Sequence, residues 1–197
     1  MSDRGGKGLG LEGPVRAFVA LPCPEGLRLA ISQRLSAWRS LAADVAWVRA
    51  ESSHLTLRFL GNADPPRLER LDTLLGRAAR GAAPIAATPG ATGAFPGWSR
   101  PRVLWLRLES EGAIESLAQA VEAASREAGF AAEDRAFTSH LTLGRVRGHR
   151  GAERAVREVR SWAPAVRAET IPEMILYRSD LAPSGARHTA LARYPIG

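Results

Sequence analysis

The chain has 197 residues, of which 45% are hydrophobic and 24% charged, and this composition is typical of a folded globular protein and excludes a disordered one. Its length is enough for one sizeable domain, and no apolar run approaches the roughly 18 to 20 residues that a membrane-spanning helix needs. A formal net charge of +7 favours polyanionic partners, and RNA is a natural candidate.

The first residues and the single cysteine suggest where the protein works. Residues 1–13 are rich in glycine and lack the apolar segment of a secretory signal, so we expect a flexible tail, followed by one domain over residues 14–197. Cys23 lies between two prolines and has no second cysteine to pair with, and we interpret it as structural. A cytoplasmic protein fits these features.

Strand and helix patterns alternate along the first half of the chain. An apolar run over residues 15–21 predicts a buried strand, and prolines end it. Apolar residues at helical spacing then predict a helix over residues 25–41. Further predicted elements are strands at 46–48 and 54–60, a helix at 66–80, and strands at 85–92 and 102–108.

The second half repeats this alternation. A helix is predicted over residues 112–128, and Gly129 is a typical C-terminal stop. The patterns then predict a strand at 140–146, a helix at 152–160, a strand at 166–177 broken by Pro172, and a strand at 188–194. Strands beside helices in both halves predict an α+β or α/β fold with two lobes and largely antiparallel pairing.

One tetrapeptide occurs twice: His54–Leu57 and His140–Leu143 both read His-Leu-Thr-Leu, in a chain with four histidines. Side chains alternate across a strand, so each copy places its histidine and threonine on one face and its leucines on the other. If the two strands lie side by side about a pseudo-two-fold axis, both imidazoles and both hydroxyls meet in one cleft. A single copy would be an ordinary strand, but two copies favour a site.

These residue types suit the cleavage of a phosphodiester. One neutral imidazole can accept a proton from an attacking water while the other, protonated, donates one to the departing oxygen. The hydroxyls of Thr56 and Thr142 can donate hydrogen bonds to the phosphate oxygens. Arg58 and Arg145 could neutralise charge there. Arg145 lies five residues after its histidine, so a bulge or a strand end would have to turn it toward the same face.

The motifs resemble those of the two-histidine phosphoesterases, and among them the bacterial and archaeal RNA 2′,3′-cyclic phosphodiesterases, also called 2′-5′ RNA ligases. The likeness covers nearly the whole chain. It rests on Arg16–Leu21, Trp47, His54–Gly61, Phe95–Pro96 followed by Arg102–Trp105, and Phe137–Arg145. The resemblance implies two lobes that each supply one His-x-Thr strand, hydrolysis without a metal or cofactor, and a product with a 2′-phosphate.

The resemblance also implies roles for the two histidines. It makes His54 the proton donor to the leaving oxygen and His140 the proton acceptor, although the near symmetry of the motifs allows the reverse. Two positions depart from the family pattern. Ser139 stands where similar proteins usually have proline, and His188 stands where many have tyrosine. His188 could stack on a base or cap a strand, and we favour a structural role for both residues.

The aromatic residues and the remaining histidine each have a functional and a structural interpretation. Phe59, Phe95 and Trp98 are candidates for stacking on a base, with core packing as the alternative. Four other tryptophans follow strand or helix patterns and are predicted to lie in the core: Trp38, Trp47, Trp105 and Trp162. His149 is predicted to be a solvated loop residue, and no ligand set for a metal site is present in the sequence.

The sequence therefore predicts a hydrolase acting on RNA with 2′,3′-cyclic phosphate ends, working as a monomer without an obligatory protein partner. Two alternatives stay open. One is a cyclic phosphodiesterase or 2′-5′ ligase that acts on small nucleotides or tRNA fragments. The other is an RNA-binding module that has the cleft but no turnover.

Overall fold

Strands and helices alternate throughout the computed structural model, which describes residues 8–41, 44–148, 150, 152–182 and 185–197. A 3₁₀ turn at Ala50–Ser52 precedes the third strand. The bounds are β1 Val15–Pro22, α1 Glu25–Arg39, β2 Val45–Trp47, β3 His54–Ala63, α2 Pro65–Arg80, β4 Ile85–Phe95, β5 Val103–Glu109, α3 Ala113–Glu127, β6 His140–Val146, α4 Ala152–Arg160, β7 Glu169–Ile171, β8 Glu173–Ala182 and β9 Gly185–Pro195.

Each predicted element is present, and the largest difference concerns the predicted strand at 166–177. It is two strands, β7 and β8, which belong to different parts of the sheet. Pro172 separates them, because proline has no N–H to donate to a strand ladder. The chain uses this break to cross from one end of the sheet toward the other.

Over the described residues, nine strands form a sheet in the order β7-β4-β5-β6-β3-β1-β8-β9, with β2 also paired to β6. Every strand pair is antiparallel. We call the strands β3, β1, β8 and β9 lobe A, and the strands β6, β5, β4, β7 and β2 lobe B. The predicted two-lobed α+β fold with antiparallel pairing is confirmed.

The two lobes meet where the repeated tetrapeptides meet. The Cα partners that join β3 to β6 are Leu55 and Leu141, the second residue of each copy. Both leucines are fully buried, with 0% exposure. A pseudo-two-fold axis through this pair exchanges the two copies. The side-by-side arrangement of the motif strands, which was an assumption from the sequence, is therefore present in the sheet.

Helices cover one face of the sheet through apolar stripes. In α1 the predicted stripe is buried and packs toward lobe B, where Trp38 stacks on Trp47 at 5.3 Å between ring centroids. Helix α2 packs beside α3 and is capped by Asp64, whose side chain accepts a hydrogen bond from the Arg67 N–H at 3.0 Å. The opposite face of the sheet carries the side chains of the motif histidines and threonines.

Some of the sequence predictions fall on residues that the structure does not describe. Residues 1–7 and His149 lie outside the described residues, so the predictions made for them stay predictions. Leu9 and Leu11 belong to the proposed tail but are partly buried against the core, so the flexible tail remains a prediction for residues 1–7 alone. Among the described residues, no helix is both long enough and apolar enough to cross a bilayer.

Candidate active site

The side chains of the two motif strands alternate as predicted. In β3, His54 and Thr56 are partly exposed while Leu55 is buried. In β6, His140 and Thr142 are partly exposed while Leu141 is buried. Because the strands are neighbours, both histidines and both threonines lie on the face opposite the helices, which we call the motif face.

The two histidines make the same local hydrogen bond. The Nδ1–H of His54 donates to the carbonyl of Ser52 at 2.8 Å, and that of His140 donates to the carbonyl of Thr138 at 2.7 Å. A carbonyl oxygen only accepts, so the proton of each neutral ring resides on Nδ1. Nε2 of each ring therefore carries the lone pair that can exchange a proton with a substrate.

The threonine hydroxyls are available to a ligand. Neither Thr56 nor Thr142 forms a side-chain hydrogen bond with any residue that the structure describes, and neither hydroxyl is sealed from solvent. Each can donate to an oxygen of a bound phosphate. The symmetric pair thus offers two donors beside two imidazoles.

A β-bulge follows each motif at the equivalent position. In β3, Thr56 pairs with Ala20 and Arg58 with Val19, so Leu57 is the extra residue. In β6, Thr142 pairs with Trp105 and Gly144 with Leu104, so Leu143 is the extra one. An extra residue reverses the alternation beyond it. Just beyond its bulge, each strand therefore turns one odd-numbered residue to the motif face, Phe59 in β3 and Arg145 in β6.

The bulge in β3 corrects the role predicted for Arg58. Simple alternation places this arginine beside Thr56, but the bulge turns it to the helix side, where it is only 8% exposed. Its guanidinium lies 2.7 Å from a carboxylate oxygen of Glu122 and 3.0 Å from one of Glu133, and it donates to the carbonyl of Ala131. Arg58 is a buried structural residue and not part of the cleft.

The same device brings Arg145 and Phe59 to the motif face. Arg145 is exposed, and its positive charge adds to the burial that lowers the pKa of both His54 and His140. Phe59 is 49% exposed, and its ring centroid lies 5.9 Å from that of Phe18. An exposed cation and an exposed ring therefore flank the paired histidines.

Aromatic rings from other strands surround each histidine. Phe18 of β1 and His188 of β9 lie 4.8 and 5.2 Å from His54 between ring centroids. Phe95 of β4 and Trp105 of β5 lie 5.1 and 6.1 Å from His140. His188 and Phe95 come from strands that are not neighbours of β3 or β6 and still reach the histidines, so the motif face is concave.

The comparisons with known proteins decide the family. The model of the 2′-5′ RNA ligase superfamily matches residues 27–181. The chain is 31% identical over 176 residues to the RNA 2′,3′-cyclic phosphodiesterase of Methanothermobacter thermautotrophicus, in a match that covers 89% of this chain and 95% of that protein. The chain belongs to the 2′-5′ RNA ligase superfamily. The predicted membership in the two-histidine phosphoesterases is confirmed.

Solved structures agree with this assignment. The crystal structure of TT0787 from Thermus thermophilus is 29% identical, with a TM-score of 0.75 and coverage of 92% of this chain and 97% of that one. The apo form of E. coli LigT is 24% identical, with a TM-score of 0.67 and coverage of 94% and 99%, and this likeness shows the fold alone. The match extends over both lobes.

The surroundings of the two histidines in this superfamily member disfavour the protonated imidazole. Burial lowers the pKa of His54 to about 4, and the charges of His188, His140 and Arg145 act in the same direction, against the raising effect of the hydrogen bond to Ser52. Burial also lowers the pKa of His140. Both rings are therefore neutral near pH 7 in the free protein, and a bound anion would favour their protonation.

Several contacts in the cleft were not predicted from the sequence. Phe18 was predicted only as part of a buried strand and His188 was interpreted as structural. Both lie far along the chain from His54, so no local pattern places them beside that ring. Trp105 was predicted to lie in the core, but it is half-buried on the motif face, where the indole packs over Gly93. The alternation of β5 could have shown this, because Leu104 and Leu106 occupy the buried face.

The remaining predicted residues have structural contacts. The hydroxyl of Ser139 is buried and donates to the carbonyl of Leu108 at 2.6 Å, which ties the start of β6 to β5. Trp98 is partly buried, with the guanidinium of Arg160 5.7 Å from its ring centroid. Burial raises the pKa of Cys23 to about 12, with the charge of Glu169 acting the same way, so its thiol stays protonated. No cluster of three potential metal ligands occurs among the described residues.

Proposed function

We propose that this protein hydrolyses 2′,3′-cyclic phosphates at RNA ends to 2′-phosphates. The observation that carries the proposal is the Leu55–Leu141 pairing, which sets two identical His-x-Thr strands side by side with their histidines on one concave face. The Methanothermobacter relative is an RNA 2′,3′-cyclic phosphodiesterase, which supports the same substrate.

The proposed reaction uses one proton acceptor and one proton donor. Nε2 of neutral His140 accepts a proton from water as the water oxygen attacks phosphorus. The bond between phosphorus and the 3′ oxygen breaks, and His54 gives a proton to that oxygen, leaving a 2′-phosphate. His54 must be protonated for this role, so the negative charge of the bound phosphate has to raise its pKa from about 4.

The other cleft residues would bind the substrate. The hydroxyls of Thr56 and Thr142 donate to the non-bridging phosphate oxygens, whose charge grows in the transition state. Arg145 adds a charge-assisted hydrogen bond, which is stronger than a neutral one. Phe59 offers an exposed ring on which the terminal base stacks. No step in this scheme assigns work to a metal or to a cofactor.

The test uses an oligonucleotide that ends in a 2′,3′-cyclic phosphate, with products separated by chromatography. We expect opening to a 2′-phosphate that persists in EDTA, because imidazoles carry both proton transfers. His54→Ala and His140→Ala should each lower kcat by a factor of about 10² to 10⁴.

Circular dichroism of each variant serves as the folding control. Substantial activity in both folded variants would contradict the acid–base pair. Binding of the oligonucleotide by the intact protein without any turnover would instead identify an RNA-binding module.

A further inference from the structure

Arg107 lies directly across the sheet from His140. The two residues are Cα partners in the pairing of β5 with β6. Leu106 and Leu108 beside it are buried on the helix side, whereas Arg107 shares the motif face with Trp105, whose ring contacts His140. The chain therefore places a second arginine, besides Arg145, next to the catalytic candidates.

The guanidinium of Arg107 has no counter-ion among the described residues. Other arginines of the sheet are paired: Arg58 with Glu122 and Glu133, and Arg178 with Asp180. No residue that the structure describes forms an ion pair or a hydrogen bond with Arg107, although this side chain is half-buried.

The acidic residue that follows on the same strand face does not neutralise this arginine. Glu109 lies two positions further along β5, but its carboxylate lies against the backbone of Gly90 in β4. A half-buried guanidinium that lacks an acidic partner is a place where an anion binds with little competition.

The register separates Arg107 from Arg145. Val103 is the partner of Arg145, and the pair of Arg107 with His140 lies four positions further along β5. At about 3.3 Å per residue, the two arginine Cα atoms are roughly 13 Å apart along the sheet. This spacing suits two different anionic groups of one ligand better than one shared group.

We propose that Arg107 binds the phosphate on the 5′ side of the terminal nucleotide, and so makes the protein favour RNA chains over nucleoside cyclic phosphates. The inference rests on the proposed function, because it takes the terminal cyclic phosphate to lie at the paired histidines with Arg145. A nucleoside 2′,3′-cyclic phosphate has no second phosphate, and only a longer RNA can engage both arginines.

The experiment compares a nucleoside 2′,3′-cyclic phosphate with a trinucleotide that ends in the same nucleotide. We expect Arg107→Gln to lower the ratio of kcat/KM for the trinucleotide to kcat/KM for the nucleoside by about tenfold. Arg107→Lys should restore part of the ratio, since it keeps the charge without the fork. Arg34→Gln is the matched control, because it removes one exposed arginine from α1, on the covered side of the sheet.

A second measurement does not depend on turnover. Fluorescence anisotropy of a labelled trinucleotide gives the slope of log K for binding against the logarithm of the salt concentration. The magnitude of this slope should be smaller by about 0.7 in Arg107→Gln, the contribution of one phosphate of a single strand. An unchanged kcat/KM ratio together with an unchanged salt slope would overturn the role of Arg107. Failure of the wild-type protein to open either substrate would overturn the proposed function, while the salt slope would still decide the inference.

Discussion

At the scale of single residues, the site depends on two carbonyl groups that precede the motif strands. The carbonyls of Ser52 and Thr138 accept from the Nδ1–H groups of His54 and His140, so the same tautomer is selected twice. The second members of the motifs, the leucines, are buried and hold each strand in the sheet. Every imidazole proposed to act on the phosphate is thus oriented by backbone and apolar neighbours.

The depressed pKa of His54 predicts a pH-dependent stability. The unfolded chain has an ordinary histidine pKa of about 6.5, whereas burial lowers the folded value to about 4. Between these two pKa values the unfolded state binds more protons than the folded state. The contribution of neutral His54 to the free energy of unfolding is therefore full above about pH 6.5 and is lost as the pH falls toward 4. We expect His54 to account for a loss of about 2 kcal/mol in the free energy of unfolding between about pH 8 and pH 5.

Urea titrations at the two pH values measure this loss. His54→Gln removes the titrating group, so the variant should lose about 2 kcal/mol less than the wild-type protein on acidification. An equal loss in both proteins would show that His54 titrates normally in the folded state.

At the scale of elements, the equivalent bulges in β3 and β6 give different outcomes in the two lobes. Just beyond the bulge, β3 has Arg58 and β6 has Gly144. A Cβ at Gly144 would lie 2.9 Å from both Trp47 and Val45, so the helix side of lobe B has no room for a side chain there. In lobe A the same place is filled by Arg58, which ties β3 to α3 and to the segment leading toward β6.

Arg58→Met is expected to destabilise the protein by about 2 kcal/mol, because it leaves two partly buried carboxylates without their cation. The matched control is Arg178→Met, which removes an exposed pair with Asp180 at 2.8 Å and should cost less than about 1 kcal/mol. Urea unfolding measures both. Unchanged stability in Arg58→Met with a large rise in KM would indicate that this arginine binds substrate after all.

At the scale of the whole molecule, the chain crosses repeatedly between the lobes. Helix α1 follows β1 of lobe A, yet its first N–H groups, from Gly26 and Leu27, donate to the carboxylate of Glu169 in β7 of lobe B at 2.9 and 3.1 Å. Pro172 alone separates β7 of lobe B from β8 of lobe A. We propose on these grounds that residues 14–197 form one bilobal catalytic domain rather than two.

One cooperative unfolding transition is the expected consequence. The five tryptophans of the chain lie on or against lobe B: Trp38, Trp47, Trp98, Trp105 and Trp162. Tryptophan fluorescence therefore reports on lobe B, whereas far-ultraviolet circular dichroism reports on both lobes. The urea midpoints from the two probes should coincide. Separate midpoints would mean that the lobes unfold independently.

Local periodicity was enough to predict most of the secondary structure and the face on which the motif residues lie. The alternation of His-Leu-Thr-Leu separates polar from apolar side chains within four residues, and the helical spacing of Leu27, Ile31 and Leu35 identifies a buried stripe. Such patterns depend only on residues close along the chain.

The tertiary structure alone decided which arginine enters the cleft and which rings surround it. Pairing of Leu55 with Leu141, the bulges after the two motifs and the approach of His188 to His54 all join segments distant in sequence. One extra residue in a strand reverses every side chain beyond it, and that residue is set by the partner strand rather than by its own neighbours. The repeat thus predicted the paired histidines, and the register of the folded sheet decided that Arg145, and not Arg58, lies beside them.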